Sequence, residues 1–139
     1  NDATYYLKSD SSSWGNYRNS TFKLDRGKYA CNTKISVWLN YTDDYLKHVN
    51  NSIKLEGEED WISVLTSTGA SDNNKKCNIY DLAGNVREYT LSYTNDEQNP
   101  CSFRGGTFNY DSLEYPANYM GTCTTNYPIH SSGFRVTIY

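Results

Sequence analysis

The chain has 139 residues, enough to bury one core but not two. An apolar content of 37% and a mean hydropathy of −0.80 make that core small beside a polar surface. A net charge of −3 with scattered Lys and Arg residues leaves no basic footprint for nucleic acid, and no apolar run reaches the length needed for membrane insertion.

Residues 1–139 read as a single domain. The opening "NDATYYLKSD" lacks the apolar stretch of a signal peptide, so any anchor or targeting signal is expected upstream, the chain being the C-terminal part of a longer protein. Residues 1–35 give a polar loop, "SDSSSWGNYRNS", and then the strand-like "STFKLD", with Trp14 and Tyr17 as core or platform aromatics. In "TDDYLKHVNNSIKL" a short helix is expected, capped by Thr42, with Tyr45, Leu46 and Val49 on one face. Glu58, Glu59 and Asp60 read as a solvated acidic turn rather than an acid–base pair.

After the short apolar run "WISVLT", the segment "VREYTLSY" alternates. Arg87, Tyr89, Leu91 and Tyr93 lie on one side, and Val86, Glu88, Thr90 and Ser92 on the other, the period of a strand. "GFRVTIY" alternates too, predicting a half-buried terminal strand with Phe134, Val136 and Ile138 on one face. Between "CSFRGG" and that strand runs a stretch without usable period, and so long a loop in a small domain is expected to be functional. The coarse expectation is a mixed fold, loop-rich, with short antiparallel strands and little helix.

Cys31, Cys77, Cys101 and Cys123 contain no C-x-x-C pair and have only His48 and His130 for company, which argues against zinc. Two readings stay open: bridges Cys101–Cys123 and Cys31–Cys77, or free buried thiols. The N-x-S/T triplets at Asn19, Asn40 and Asn50 matter only in a glycosylating host.

"NIYDLAGNVREYT", "FRGGTF" and "GFRVTIY" occur in this order. Together they resemble the formylglycine-generating-enzyme and sulfatase-modifying group of C-type lectin folds. That resemblance implies an α+β C-type lectin fold over roughly Trp14 to Tyr139, with Arg104, Gly105, Gly106, Gly133, Phe134 and Arg135 as scaffold. Arg87 and Tyr89 stand where the group usually has aromatics. Arg104 is expected to pair with a carboxylate such as Glu88 or Asp81, and the paired glycines to turn the backbone sharply against neighbouring chain.

The oxidases of the group need two close cysteines shortly after the R-G-G turn, where this chain reads "TFNYDSLEYP". No G-x-S-x-G, P-loop or H-E-x-x-H motif replaces them, so the leading expectation is not an enzyme. A divergent oxidase and a structural phage or pilus subunit are the alternatives.

The chain is also similar to a non-catalytic branch of the fold, the variable proteins of diversity-generating retroelements on phage tails and bacterial surfaces. In that branch the stretch between R-G-G and G-F-R binds a cell-surface protein or glycan, and mutation of template adenines diversifies it. Mutating the adenines of AAY codons never yields Lys, Gln, Glu, Met or Trp; from Thr107 to Ser132 only Glu114 and Met120 fall outside the reachable set. Ligand contacts are expected from Phe108, Asn109, Tyr110, Asp111, Ser112, Tyr115, Asn118, Tyr119, Asn126, Tyr127 and His130. Tyrosine gives wide contact at low rotamer cost and short polar residues adapt their hydrogen bonds, the mixture used by antibody paratopes. At least two of these tyrosines are expected to be half-buried.

The same resemblance implies a structural calcium ion held by the Asp81 and Glu88 carboxylates and the Gly84 and Val86 carbonyls, a hard-oxygen set. The metal-free alternative has Asp81 capping its turn and Glu88 paired with Arg104. No E-P-N or Q-P-D motif suggests calcium-mediated sugar binding.

Overall fold

In the computed structural model, which describes residues 10–31, 38–41, 52–53, 62–126 and 131–135, two small sheets carry the molecule. Alternation in "TFKLD" turns Phe22 and Leu24 inward, although the segment forms no ladder of its own. It leads into β1 (Lys28–Cys31), which pairs antiparallel with β2 (Leu39–Asn40) and β4 (Ile62–Thr66). The other edge of β4 pairs antiparallel with β3 (Ser52–Ile53). Phe22, Leu24, Tyr29, Val64 and Ala70 form the core cluster, with Tyr41 packed against it. Full burial of a side chain such as Val64 or Phe22 stabilises the fold by about 1.5–3 kcal/mol.

A short hairpin follows the 3₁₀ turn Asp72–Asn74, which Ser71 caps. Its strands β5 (Lys75–Lys76) and β6 (Ile79–Tyr80) are joined through Cys77 and Asn78, at φ 50° and 62°. Two positive φ values suit the right-handed twist of the flanking strands.

The second sheet has the order β10 (Ser132–Gly133), β7 (Arg87–Thr90), β8 (Cys101–Arg104) and β9 (Met120–Cys123). Short β10 runs parallel to β7, and the other pairs are antiparallel. This sheet brings the "VREYT", "FRGG" and "GFR" blocks side by side. The expected strand over "VREYTLSY" is therefore present as far as Thr90. Past it, Leu91 and Tyr93 are exposed.

Among the described residues the only helical element is the 3₁₀ turn. The helix expected in residues 42–55 falls outside them, except for Ser52–Ile53, which is strand. The acidic turn 58–60 also lies outside. Phe134 is a correction: it is 79% exposed rather than turned inward, because the ladder ends at Gly133 and Arg135 is drawn to other partners. Val136 and Ile138 lie outside the described residues.

Buried asparagines join the two sheets. Asn85 Oδ1 accepts the Thr66 N–H (3.0 Å) and the Asn16 amide (3.2 Å), while its Nδ2 donates to the Thr66 carbonyl (2.8 Å). Its own N–H reaches the Asn16 carbonyl at 2.6 Å and its carbonyl accepts the Phe108 N–H at 3.1 Å. Asn16 in turn donates Nδ2 to the Val64 carbonyl at 2.7 Å. Thus β4, the polar opening loop, the "AGN" turn and the start of the long loop meet at one residue.

Tyr17 fills the space beside that node. Its ring is fully buried and lies between two glycines: an added Cβ on Gly84 falls 2.8 Å from Cδ2, and one on Gly106 falls 2.5 Å from Cε1. Gly84 also sits at φ 73°, where side chains are strained. The "AGN" and "RGG" glycines are thus two walls of one tyrosine slot.

Replacing Asn85 by Ala removes a donor and an acceptor from buried backbone partners and strains a residue at φ 57°. The expected cost in urea unfolding is roughly 3 kcal/mol or more, whereas exposed Asn73→Ala should stay within about 0.5 kcal/mol. A loss below about 1 kcal/mol for Asn85→Ala would remove the node from the account.

Candidate functional site

The stretch 105–119 has no strand, yet most of its backbone is tied down. The Gly105 N–H donates to the Tyr119 carbonyl (3.0 Å), Tyr110 to Thr107 (3.0 Å), Tyr115 to Asp111 (2.9 Å) and Tyr119 to Pro116 (2.8 Å). The polar opening loop cradles it from below. Asn19 accepts the Ser112 N–H at 2.9 Å and donates to Ser112 Oγ at 2.9 Å. Ser112 Oγ donates to the Asp10 carboxylate, a bond that holds the Asp10 pKa below its usual value. The Ala117 N–H donates to Ser11 Oγ at 2.9 Å, and the Arg18 N–H to the Tyr110 carbonyl.

Three rings rise from this loop. Tyr110 and Tyr115 stack with centroids 4.2 Å apart, and Tyr119 meets Tyr115 edge to face at 4.7 Å. The Arg87 guanidinium lies 5.7 Å from the Tyr110 centroid and 4.5 Å from that of Phe103. All three tyrosines are half-buried. Neighbouring Glu114, foremost, raises the Tyr115 pKa above its usual value.

Not every expected contact residue reaches this surface. Phe108 is fully buried, as is Ser112; the chain turns inward after R-G-G because the Phe108 N–H is drawn to Asn85, and Ser112 serves as a brace. Neither is a ligand contact. Asn109, Asp111 and Asn118 are half-buried and Asn126 is exposed. Asn109 Oδ1 is buried without a hydrogen-bond partner. Tyr127 and His130 lie outside the described residues.

Arg104 also differs from expectation. Its Nη1 donates to the Asn118 carbonyl at 3.0 Å, so it anchors the far end of the loop. Glu88 is taken instead by Arg135, with Nε at 2.8 Å and Nη2 at 2.5 Å from Oε1. Arg135 further donates to the Tyr80 and Asp81 carbonyls at 3.3 and 2.9 Å. Of the remaining scaffold residues, Gly105 turns at φ 73° and Gly133 pairs with Glu88 in the parallel ladder.

Asp81, Gly84, Val86 and Glu88 line one cavity of about 170 Å³, together with Arg135. Asp81 is 6% exposed; its Oδ2 accepts the Gly69 N–H at 3.4 Å, while Oδ1 is buried without a partner. Burial pushes its pKa up to about 6, with the Gly69 N–H, Asn74 and Arg135 opposing. Among the described residues no three His, Cys, Asp or Glu side chains gather as a metal group, so a cation here would rely on two carboxylates and main-chain carbonyls. The orphaned Asp81 oxygen fits such an ion, and Arg135 leaves Glu88 one carboxylate oxygen to offer.

No family model, curated protein or solved structure matches this chain. Its site therefore rests on its own geometry.

Sequence reasoning missed three contributors: Arg87 beneath the rings, Leu113 at 66% exposure, and the bracing by Asp10, Ser11 and Asn19. The density of short polar side chains in "DSSSWGNYRNS" was the available signal, because such residues hydrogen-bond to nearby and distant backbone alike.

Asp81 holds its proton more tightly folded than unfolded, so its ionisation destabilises the fold as pH rises from about 4 to 6. In chelator, wild type should lose up to about 3 kcal/mol over that interval relative to Asp81→Asn, read from urea unfolding. Calcium binding to the carboxylate should abolish the difference. Parallel pH profiles with and without calcium would eliminate the cation site.

Proposed function

We propose that this chain is a non-catalytic binding domain of the C-type lectin fold, carried by a phage tail or bacterial surface protein. It presents the surface between Thr107 and Ser132 to a cell-surface protein or glycan. The observation that carries the reading is the Tyr110–Tyr115–Tyr119 cluster on a loop whose backbone is already hydrogen-bonded. Ordering a loop on binding costs affinity, and a preformed one escapes that cost. The adjacency of the three sequence blocks in one sheet supports the fold.

Calcium is proposed as a structural ion in the Asp81–Glu88 cavity. It would neutralise the buried carboxylate and fix the "AGN" turn, with no part in ligand contact. Against the oxidase alternative, Cys101 and Cys123 sit at the opposite end of the β8–β9 ladder from the loop. No nucleic acid partner and no membrane insertion is proposed; no described helix is long and apolar enough to span a bilayer.

Retroelement diversification must spare residues that hold the fold. Thr107, Phe108 and Ser112 are buried and should be constant, as should Asp111, whose Oδ1 accepts the Leu113 N–H at 2.9 Å and the Asn19 amide at 3.3 Å, whereas Asn109, Tyr110, Leu113, Tyr115, Asn118 and Tyr119 are free to vary. Sequencing the gene's surroundings tests this. A near-copy of the codons for 107–132 beside a reverse transcriptase gene should show adenine mismatches at the second group and none at the first. Mismatches at Phe108 and Ser112 codons would contradict the proposed surface, and the lack of any near-copy would leave a fixed binding module. In the protein, Phe108→Ala should cost about 3–5 kcal/mol of stability and Tyr115→Ala no more than about 1.5 kcal/mol, both by urea unfolding.

A further inference from the structure

Cys101 opens β8 and Cys123 closes β9, and the two residues are direct partners in the antiparallel ladder. Opposed residues in such a ladder share a face, with Cα atoms about 4.5–5.5 Å apart. A disulfide needs a Cα separation of roughly 4.4–6.8 Å, so the backbone need not move to form one. Both thiols are free, as is that of exposed Cys77, and a Cys31–Cys77 bridge is therefore not formed.

The two sulfurs differ in access. Cys123 is 7% exposed and its Sγ lies 4.0 Å from the Tyr89 hydroxyl. Cys101 is half-buried and lines a cavity of about 530 Å³ bordered by Leu91, Tyr93 and Pro100. Leu91 and Tyr93, just past the end of β7, are strongly exposed, so the cavity beside Cys101 is open to a small thiol reagent while Cys123 is buried. That asymmetry suits an attacking and a resolving thiol.

We propose that Cys101 and Cys123 are a thiol–disulfide clasp that locks the β8–β9 ladder, and with it the intervening tyrosine loop. With oxidised glutathione as the oxidant, the Cys101 thiolate attacks one glutathione sulfur, forming a mixed disulfide and releasing one reduced glutathione. The Cys123 thiolate then attacks Cys101 Sγ and expels the second. One S–S bond of glutathione breaks and one protein S–S bond forms; two electrons pass to glutathione, and the two thiol protons end on its two molecules. In an extracytoplasmic setting a disulfide-exchange catalyst supplies the same two-electron acceptor.

The closed ring spans residues 101–123 and contains the whole braced loop. Cross-linking restricts the unfolded chain more than the folded one, so oxidation stabilises the surface without altering its contacts. The clasp does not depend on the binding function.

The test uses the full chain carrying Cys77→Ser, purified reduced and then equilibrated with excess oxidised glutathione under native conditions. The expected product is lighter by about 2 Da, with Cys101 and Cys123 in one linked peptide. Its Tm should rise by roughly 10 °C and return on reduction with dithiothreitol. Cys101→Ser should show neither the link nor the rise. Thiols at 101 and 123 that still alkylate, a stable glutathione adduct on Cys101, or a link to Cys31 would each overturn the proposal.

Discussion

The amide of Asn85 is the contact on which the other parts depend. It sits at φ 57° and bonds through both ends of its side chain to one backbone residue of β4, Thr66. Asp at this position has no N–H for the Thr66 carbonyl, and Gly has no side chain for either group. Asn alone combines tolerance of the left-handed region with a donor and an acceptor. Because the Asn85 main chain simultaneously engages Asn16 and Phe108, the loop is suspended from the same point that joins the sheets. Buried polar networks of this kind are costly to break partially, since each orphaned partner keeps its desolvation penalty.

That arrangement explains how a chain with few strands and a small core holds a long irregular surface. Tyr17 takes the place of a larger apolar layer, wedged between Gly84 and Gly106, and its burial raises its pKa to about 12. The hydroxyl remains neutral and accepts the Gly106 N–H at 3.4 Å. Above it the loop closes on Arg104, Asn19 and Ser11, and the tyrosine rings pack on one another rather than on a partner. Contact area is then available at little ordering cost, the condition a binding surface must meet.

Much of this was legible in the residues, for identifiable reasons. Arg87–Thr90 alternates and is a strand; Phe22 and Leu24 alternate and are buried. The paired glycines of "RGG" signalled close backbone approach, although Tyr17 as the object approached lies far away in sequence, and the "AGN" glycine, read only as a carbonyl for calcium, turns out to be the other wall of the same slot. Strand β9 was hidden because its pattern is broken by Gly121, whose missing side chain admits the Phe103 ring: an added Cβ would lie 2.3 Å from Cζ. Phe108 looked like a display residue because its neighbours are polar, yet one backbone bond to Asn85 turns it inward. The partner of Glu88 was misassigned between Arg104, its ladder partner on β8, and Arg135, just past the end of β10, a choice that side-chain reach decides and local pattern does not.

Native-state hydrogen exchange of the loop amides reads directly whether the surface is ordered before any ligand arrives. Phe108, Tyr110, Ser112, Tyr115 and Tyr119 each donate a hydrogen bond within the loop or to its supports. These amides should exchange as slowly as those of β8, within about tenfold, because they open with the sheet rather than by themselves. Exchange near the rate of an unstructured peptide would show a loop that orders only on binding, and the braced surface would no longer explain function.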